Sequence, residues 1–254
     1  MKRIRVIPVL LLGDGGMVKT RAFAKSQYMG DPINAVKIFN EKQADELALL
    51  DIEATQKGRI DFDWVEDIVS EAFMPIAYGG GVNSVEDAAE LFARGVEKVI
   101  LNTAAVEKPD LVGALADRFG AQAVMVSIDS KRNMMKRSKT YVRGGRTATT
   151  YAPAEMAREA EARGAGEILI TSIAREGAFE GYDLDLVREV SDAVRIPVIV
   201  NGGAGAVEHF APAVQAGASA VAAGSMFVFS GKGHGMLISY PSQHDLQEQF
   251  WNRI

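Results

Sequence analysis

Short runs of Val, Ile and Leu alternate along the chain with longer stretches whose apolar residues recur at helical spacing, the pattern of repeated parallel β–α units. Eight runs predict strands, at 5–11, 46–52, 75–78, 98–102, 123–129, 167–172, 197–201 and 218–224. Between them, helical patterns run over 32–43, 85–94, 153–163 and 184–193. Two places fit poorly. Pro8 falls inside the first strand, where it has no N–H to give to a ladder. Residues 227–242 contain Gly-Lys-Gly-His-Gly, which reads as a loop before a last short helix.

An internal repeat decides between a closed barrel and an open sheet. Pro75-Ile-Ala-Tyr-Gly-Gly-Gly81-Val-Asn-Ser-Val-Glu86 matches Pro197-Val-Ile-Val-Asn-Gly-Gly203-Ala-Gly-Ala-Val-Glu208 at an offset of 122 residues (197 − 75). The register persists, pairing Gly95 with Gly217, Val99 with Val221 and Thr103 with Ser225. Two similar four-strand halves, roughly 1–120 and 121–254, close on each other without leaving an edge. The expectation is one (β/α)8 TIM barrel with half-barrel duplication.

Composition narrows the function. With 254 residues, 48% of them apolar, the chain suits a single large core, and no uncharged apolar run reaches the length of a membrane span. The apolar stretch at 6–12 follows basic residues as in a signal peptide, yet it is short, contains Pro8 and lacks a cleavage site, so it reads as the first strand. Absence of cysteine removes disulfides and thiolate chemistry and fits a cytoplasmic setting. A net charge of −5, dispersed along the chain, argues against nucleic acid. No metal or cofactor motif is apparent.

Glycines cluster after strands three and seven (Gly79, Gly80 and Gly81; Gly202 and Gly203), and strands four and eight end in Asn102-Thr103 and Gly224-Ser225. Glycine lets backbone N–H groups approach a phosphate, and helices starting near Ser84 and Ala206 add their positive ends. One such cluster fits a tight βα turn equally well. Two in matching register, each followed by a hydroxyl residue, favour a phosphorylated or otherwise anionic small molecule at the strand C-termini.

The segments GDPINAVKIFNEKQADELALLDI, YGGGVNSVEDA, VEKVILNTAAVEKP, FGAQAVMVSIDSKR, RGAGEILITSI and NGGAGAVEHF resemble the cyclase subunit of imidazole glycerol phosphate synthase over nearly the whole chain. The resemblance implies a two-phosphate barrel that receives ammonia from a glutaminase partner at its bottom, as a heterodimer, and closes an imidazole ring at its top. It assigns Gly80, Gly81, Asn102 and Thr103 to one phosphate, and Gly177, Gly202, Gly203, Gly224 and Ser225 to the other. Of two catalytic aspartates it places one at Asp129, whereas the other position holds Leu11, which moves no proton. Asp14 reads as a turn residue before Gly15 rather than a substitute acid; Glu176 stands where the family has aspartate, and Ala174 replaces a polar residue.

Arg5, Glu46, Lys98 and Glu167 open strands one, two, four and six. They are either unrelated strand-end charges or, by the resemblance, a charge ring gating ammonia. An intact gate beside a missing acid is similar to a branch of the family tied to acetamidino modification of surface-polysaccharide (lipopolysaccharide, O-antigen) sugars, where a separate amidotransferase takes part. Three readings stay open: an ammonia-receiving subunit of that sugar system, a histidine-pathway cyclase, and a non-catalytic tunnel and docking subunit.

Overall fold

The computed structural model describes residues 3–132, 137–230 and 235–254. Eight parallel strands, β1 (Arg5–Gly13), β2 (Leu47–Asp51), β3 (Ile76–Gly79), β4 (Lys98–Leu101), β5 (Val124–Arg132), β6 (Glu167–Ser172), β7 (Val198–Asn201) and β8 (Ala220–Ala223), pair in sequence order. Closure comes from β8 against β1, with Arg5 opposite Ala220, so the barrel has no free edge. The eight predicted runs are these strands, the sixth with the same bounds and the others with one or both ends moved by up to three residues; Glu46 and Pro75 precede their strands. The chain is thus a (β/α)8 barrel.

Both strand faces are buried, which is why the runs are nearly continuous in apolar residues. In β1, Ile7, Val9 and Leu11 enter the lumen cluster, while Val6, Leu10 and Leu12 enter the outer core under the helices. The lumen set continues through Ala48, Ala77, Ile100, Met125, Leu169, Ile199, Ala220 and Ala222, so small and large side chains interdigitate as a packed interior. Pro8 sits opposite Ala223 at the end of the β1–β8 ladder, and the β1–β2 register begins at Val9. The missing donor therefore falls where β1 passes from one neighbour to the other.

The predicted helices form over Pro32–Glu41, Val85–Ala93, Pro153–Ala162 and Leu184–Ser191, and the last one over Gln243–Gln249. Asp31, Ser84 and Asp183 cap the first, second and fourth by accepting from N–H groups in the first turn. At Ala206 the expectation needs correction, because the chain makes a 3-10 turn (Val207–His209) before Phe210–Gln215. Two hairpins escaped the sequence reading. Gly16–Lys19 pairs back on the end of β1 and then with Gln27–Gly30; Ser138–Val142 pairs back on β5 and then with Thr147–Ala148. Of the Gly-Lys-Gly-His-Gly loop, residues 231–234 lie outside the described residues; Phe229–Ser230 pairs with Gly235–Met236. No helix among the described residues is long and apolar enough to cross a membrane.

Both described ends of the chain meet at the strand N-terminal face. The Trp251 indole donates to the Ile4 carbonyl at 3.0 Å, and the Arg3 guanidinium stacks 4.4 Å from the Trp251 ring centroid. The Tyr240 hydroxyl donates to the Val6 carbonyl at 2.9 Å.

Candidate active site

A cavity of about 860 Å³ opens at the C-terminal ends of the strands. Its lining includes Asp129, Gly80, Gly81, Asn102, Thr103, Gly177, Gly202, Gly203, Gly224 and Ser225, so every residue assigned to the top of the barrel faces one space. The two glycine clusters also repeat in conformation. Gly80 and Gly202 take φ of +121° and +84°, and Gly81 and Gly203 take +75° and +115°. A Cβ on Gly80 would lie 2.3 Å from the Asp51 carbonyl oxygen, and one on Gly203 would lie 2.2 Å from that of Gly181. These glycines thus make tight turns and also let the backbone reach the cavity.

The two ends differ in their free donors. On the β7–β8 side the buried Ser225 hydroxyl finds no hydrogen-bond partner among the described residues, an uncommon state for a buried polar group. Beside it, a Cβ on Gly224 would lie 2.6 Å from Lys19 Nζ. On the β3–β4 side, Gly81 N–H donates to Thr55 Oγ1 at 3.3 Å and Arg143 N–H donates to Thr103 Oγ1 at 3.1 Å. The hairpin after β5 therefore leans over this end of the cavity.

Asp129 projects inward from β5, its backbone paired with Thr171 on one side and Tyr141 on the other. Asn102 Nδ2 donates to the Ser127 carbonyl at 3.0 Å and to Asp129 Oδ2 at 3.3 Å. Burial, opposed by a hydrogen bond involving Ser127, pushes the Asp129 carboxyl up to about 7. That value suits a proton donor or acceptor at neutral pH. Leu11 lines the same cavity without an ionisable group. Asp14 is no substitute acid: with Gly15 it forms the exposed turn between Gly13 and Gly16, at φ +52°, and its N–H donates to Glu53 Oε2 at 3.1 Å.

Lys19 was not foreseen. It ends the hairpin strand that folds back on β1, is almost wholly buried, and donates from Nζ to the Val9 carbonyl at 2.9 Å. Burial lowers its amine to about 8, against the opposing pull of the Glu176 carboxylate. Glu176 is itself raised by burial, while Lys19 and then the Thr20 hydroxyl, which donates at 3.1 Å, oppose that rise. The only sequence signal was a lysine after an Asp-Gly turn in an otherwise apolar segment. Ala174 is exposed and lies outside this cavity lining.

At the opposite end, Arg5, Glu46, Lys98 and Glu167 form a closed ring of four ion pairs. Arg5 reaches Glu46 and Glu167 at 2.5 Å each; Lys98 reaches Glu46 at 3.0 Å and Glu167 at 2.9 Å. Each cation thus bridges both anions, which offsets the desolvation of charges at the mouth. Between ring and cavity the lumen is lined by Ile7, Ala48, Ala77, Met125, Leu169, Ile199 and Ala220.

A family model described as histidine biosynthesis protein matches residues 5–233. The chain belongs to that family. The imidazole glycerol phosphate synthase subunit HisF of Pyrobaculum aerophilum is 48% identical over 229 residues, covering 89% of this chain and 90% of that protein. HisF of Clavibacter michiganensis is 45% identical over 226 residues, 88% of this chain and 86% of that protein. A protein of Pseudomonas aeruginosa that carries the subunit name only provisionally, as hisF2, is 44% identical over 248 residues, 97% of this chain and 99% of that protein. The histidine biosynthesis family is thus the frame for this barrel.

Proposed function

We propose that this chain is the barrel subunit of a glutamine amidotransferase system. A glutaminase-like partner docks on the strand N-terminal face, ammonia passes the charge ring, and an anionic acceptor is aminated at the strand C-termini. The observation that carries the reading is the closed Arg5–Glu46–Lys98–Glu167 ring under an apolar lumen, opposite a cavity with an acid near pKa 7. A lumen of alanine and aliphatic side chains admits neutral ammonia and rejects ammonium, because an unpaired ion is costly to desolvate. When nitrogen attacks the acceptor carbonyl, Asp129 takes the proton that the new bond releases and returns it to the displaced oxygen, which leaves as water. Gly81, Asn102 and Thr103 on one side, and Gly203, Ser225 and Lys19 on the other, hold the anionic groups.

The acceptor in this reading is a sugar whose N-acetyl group becomes an acetamidine during surface-polysaccharide synthesis, with a separate amidotransferase taking part. Support comes from Leu11, which leaves Asp129 without the second acid that ring closure uses. A second reading, the histidine-pathway cyclase, is supported by the 45–48% identity to proteins named HisF without qualification. The test is turnover of the linear bisphosphate precursor of imidazole glycerol phosphate with saturating ammonium salt. Loss of one of two proton-transfer groups lowers the rate by roughly 10²–10⁴. Turnover within about tenfold of an ordinary cyclase establishes the second reading and removes the first.

A further inference from the structure

Phe73 is 90% exposed, the most exposed of the large apolar side chains among the described residues. It stands in the segment between the helix Phe62–Ser70 and β3, at the strand N-terminal face that bears the charge ring. The surrounding segment is fastened on both flanks. Phe73 N–H donates to Asn40 Oδ1 at 2.9 Å, and Asn40 Nδ2 donates to the Glu71 carbonyl at 2.7 Å, so one amide clamps the loop from inside. Beyond it, Leu47 N–H donates to the Pro75 carbonyl and Glu97 N–H donates to the Ile76 carbonyl, both at 2.9 Å. Leu47 follows Glu46 and Glu97 precedes Lys98, so the Phe73 segment is bonded directly to the neighbours of two ring members.

We infer that Phe73 is a preformed aromatic anchor for the subunit that seats on the ring, inserting into an apolar pocket of that partner. This rests on the proposed function, because it takes the glutaminase-like subunit as the occupant. A free aromatic ring in water gains when buried, and a few aromatic anchors supply much of the energy of a typical interface. The Asn40 clamp removes loop entropy before docking, so less is lost on association. Position selects the occupant. A protein seated on the ring mouth meets the adjoining segment bonded to Leu47 and Glu97, and an apolar seal there keeps water from the ammonia path. The exposed Glu97, whose N–H is bonded to the Ile76 carbonyl, offers a carboxylate at the same rim to a basic side chain of the partner.

The experiment titrates the glutaminase-like subunit from the same genome into the full chain by calorimetry, for wild type, Phe73→Ala and Asn40→Ala. Phe73→Ala is expected to weaken binding by roughly tenfold or more and Asn40→Ala by less, with the Phe73→Ala melting curve unchanged because the ring is already in solvent. Binding of Phe73→Ala equal to wild type overturns the anchor while leaving the proposed partner in place. No binding by wild type overturns the partner and the anchor together. Sedimentation of the chain alone covers the remaining occupant: a dimer that Phe73→Ala dissolves identifies a second copy of this chain as what covers Phe73, and overturns the inference.

Discussion

At Asp129 and Lys19 the fold works against a buried charge, and each leaves a signature in stability. The Asp129 carboxyl titrates near 7 in the native state and near 4 when unfolded, so between those values the native chain binds more protons. Its contribution to stability therefore falls as pH rises from about 4 to about 7. In Asp129→Asn this slope is expected to vanish in denaturant melts across that range, while ammonia-driven amination at fixed free ammonia drops by roughly 10²–10⁴. An unchanged rate removes Asp129 from the chemistry. Lys19 has the opposite linkage. Its native value of about 8 lies below the unfolded one, so the native chain binds fewer protons between about 8 and about 10.5, and stability rises with pH there. Below pH 8 the buried ammonium is a full penalty. Lys19→Met is thus expected to raise the melting temperature at pH 7 while weakening inorganic phosphate binding measured by titration. A lower melting temperature overturns this account of Lys19.

At the scale of elements, the strands were legible because each needs apolar residues on both faces, and helix ends were legible where Asp or Ser capped them. The half-turn repeat was legible too: Gly80 and Gly81 recur in conformation at Gly202 and Gly203. The two hairpins were not, since they are short, antiparallel and partly polar, and their turns, Asp14-Gly15 and Gly144-Gly145, look like ordinary βα loops. Lys19 was lost with the first of them, and so was its relation to Glu176, which depends on two segments far apart in sequence. The ring was readable as four residues but not as four bonds. Its removal is testable: Lys98→Ala leaves Glu46 and Glu167 answered only by Arg5, at a cost on the order of 1–3 kcal/mol for a ring partly open to solvent. Glutamine-driven amination is expected to fall more than ammonia-driven amination. Equal loss in both makes the ring a stability element only.

On the scale of the whole molecule, the barrel separates two chemistries by the length of its strands. The cavity with Asp129 lies at one end and the ring with Phe73 at the other, with the apolar lumen cluster between them. The meeting of the chain ends at Trp251 and Ile4 then has a practical consequence. A peptide tag fused to either end emerges on the face proposed for docking, where it competes with a partner for the same ground. Affinity handles for assembly assays belong instead in an exposed turn at the other pole and outside the cavity lining, such as Asp14-Gly15, and a complex that forms only with the handle moved there reports on tag placement rather than on weak association.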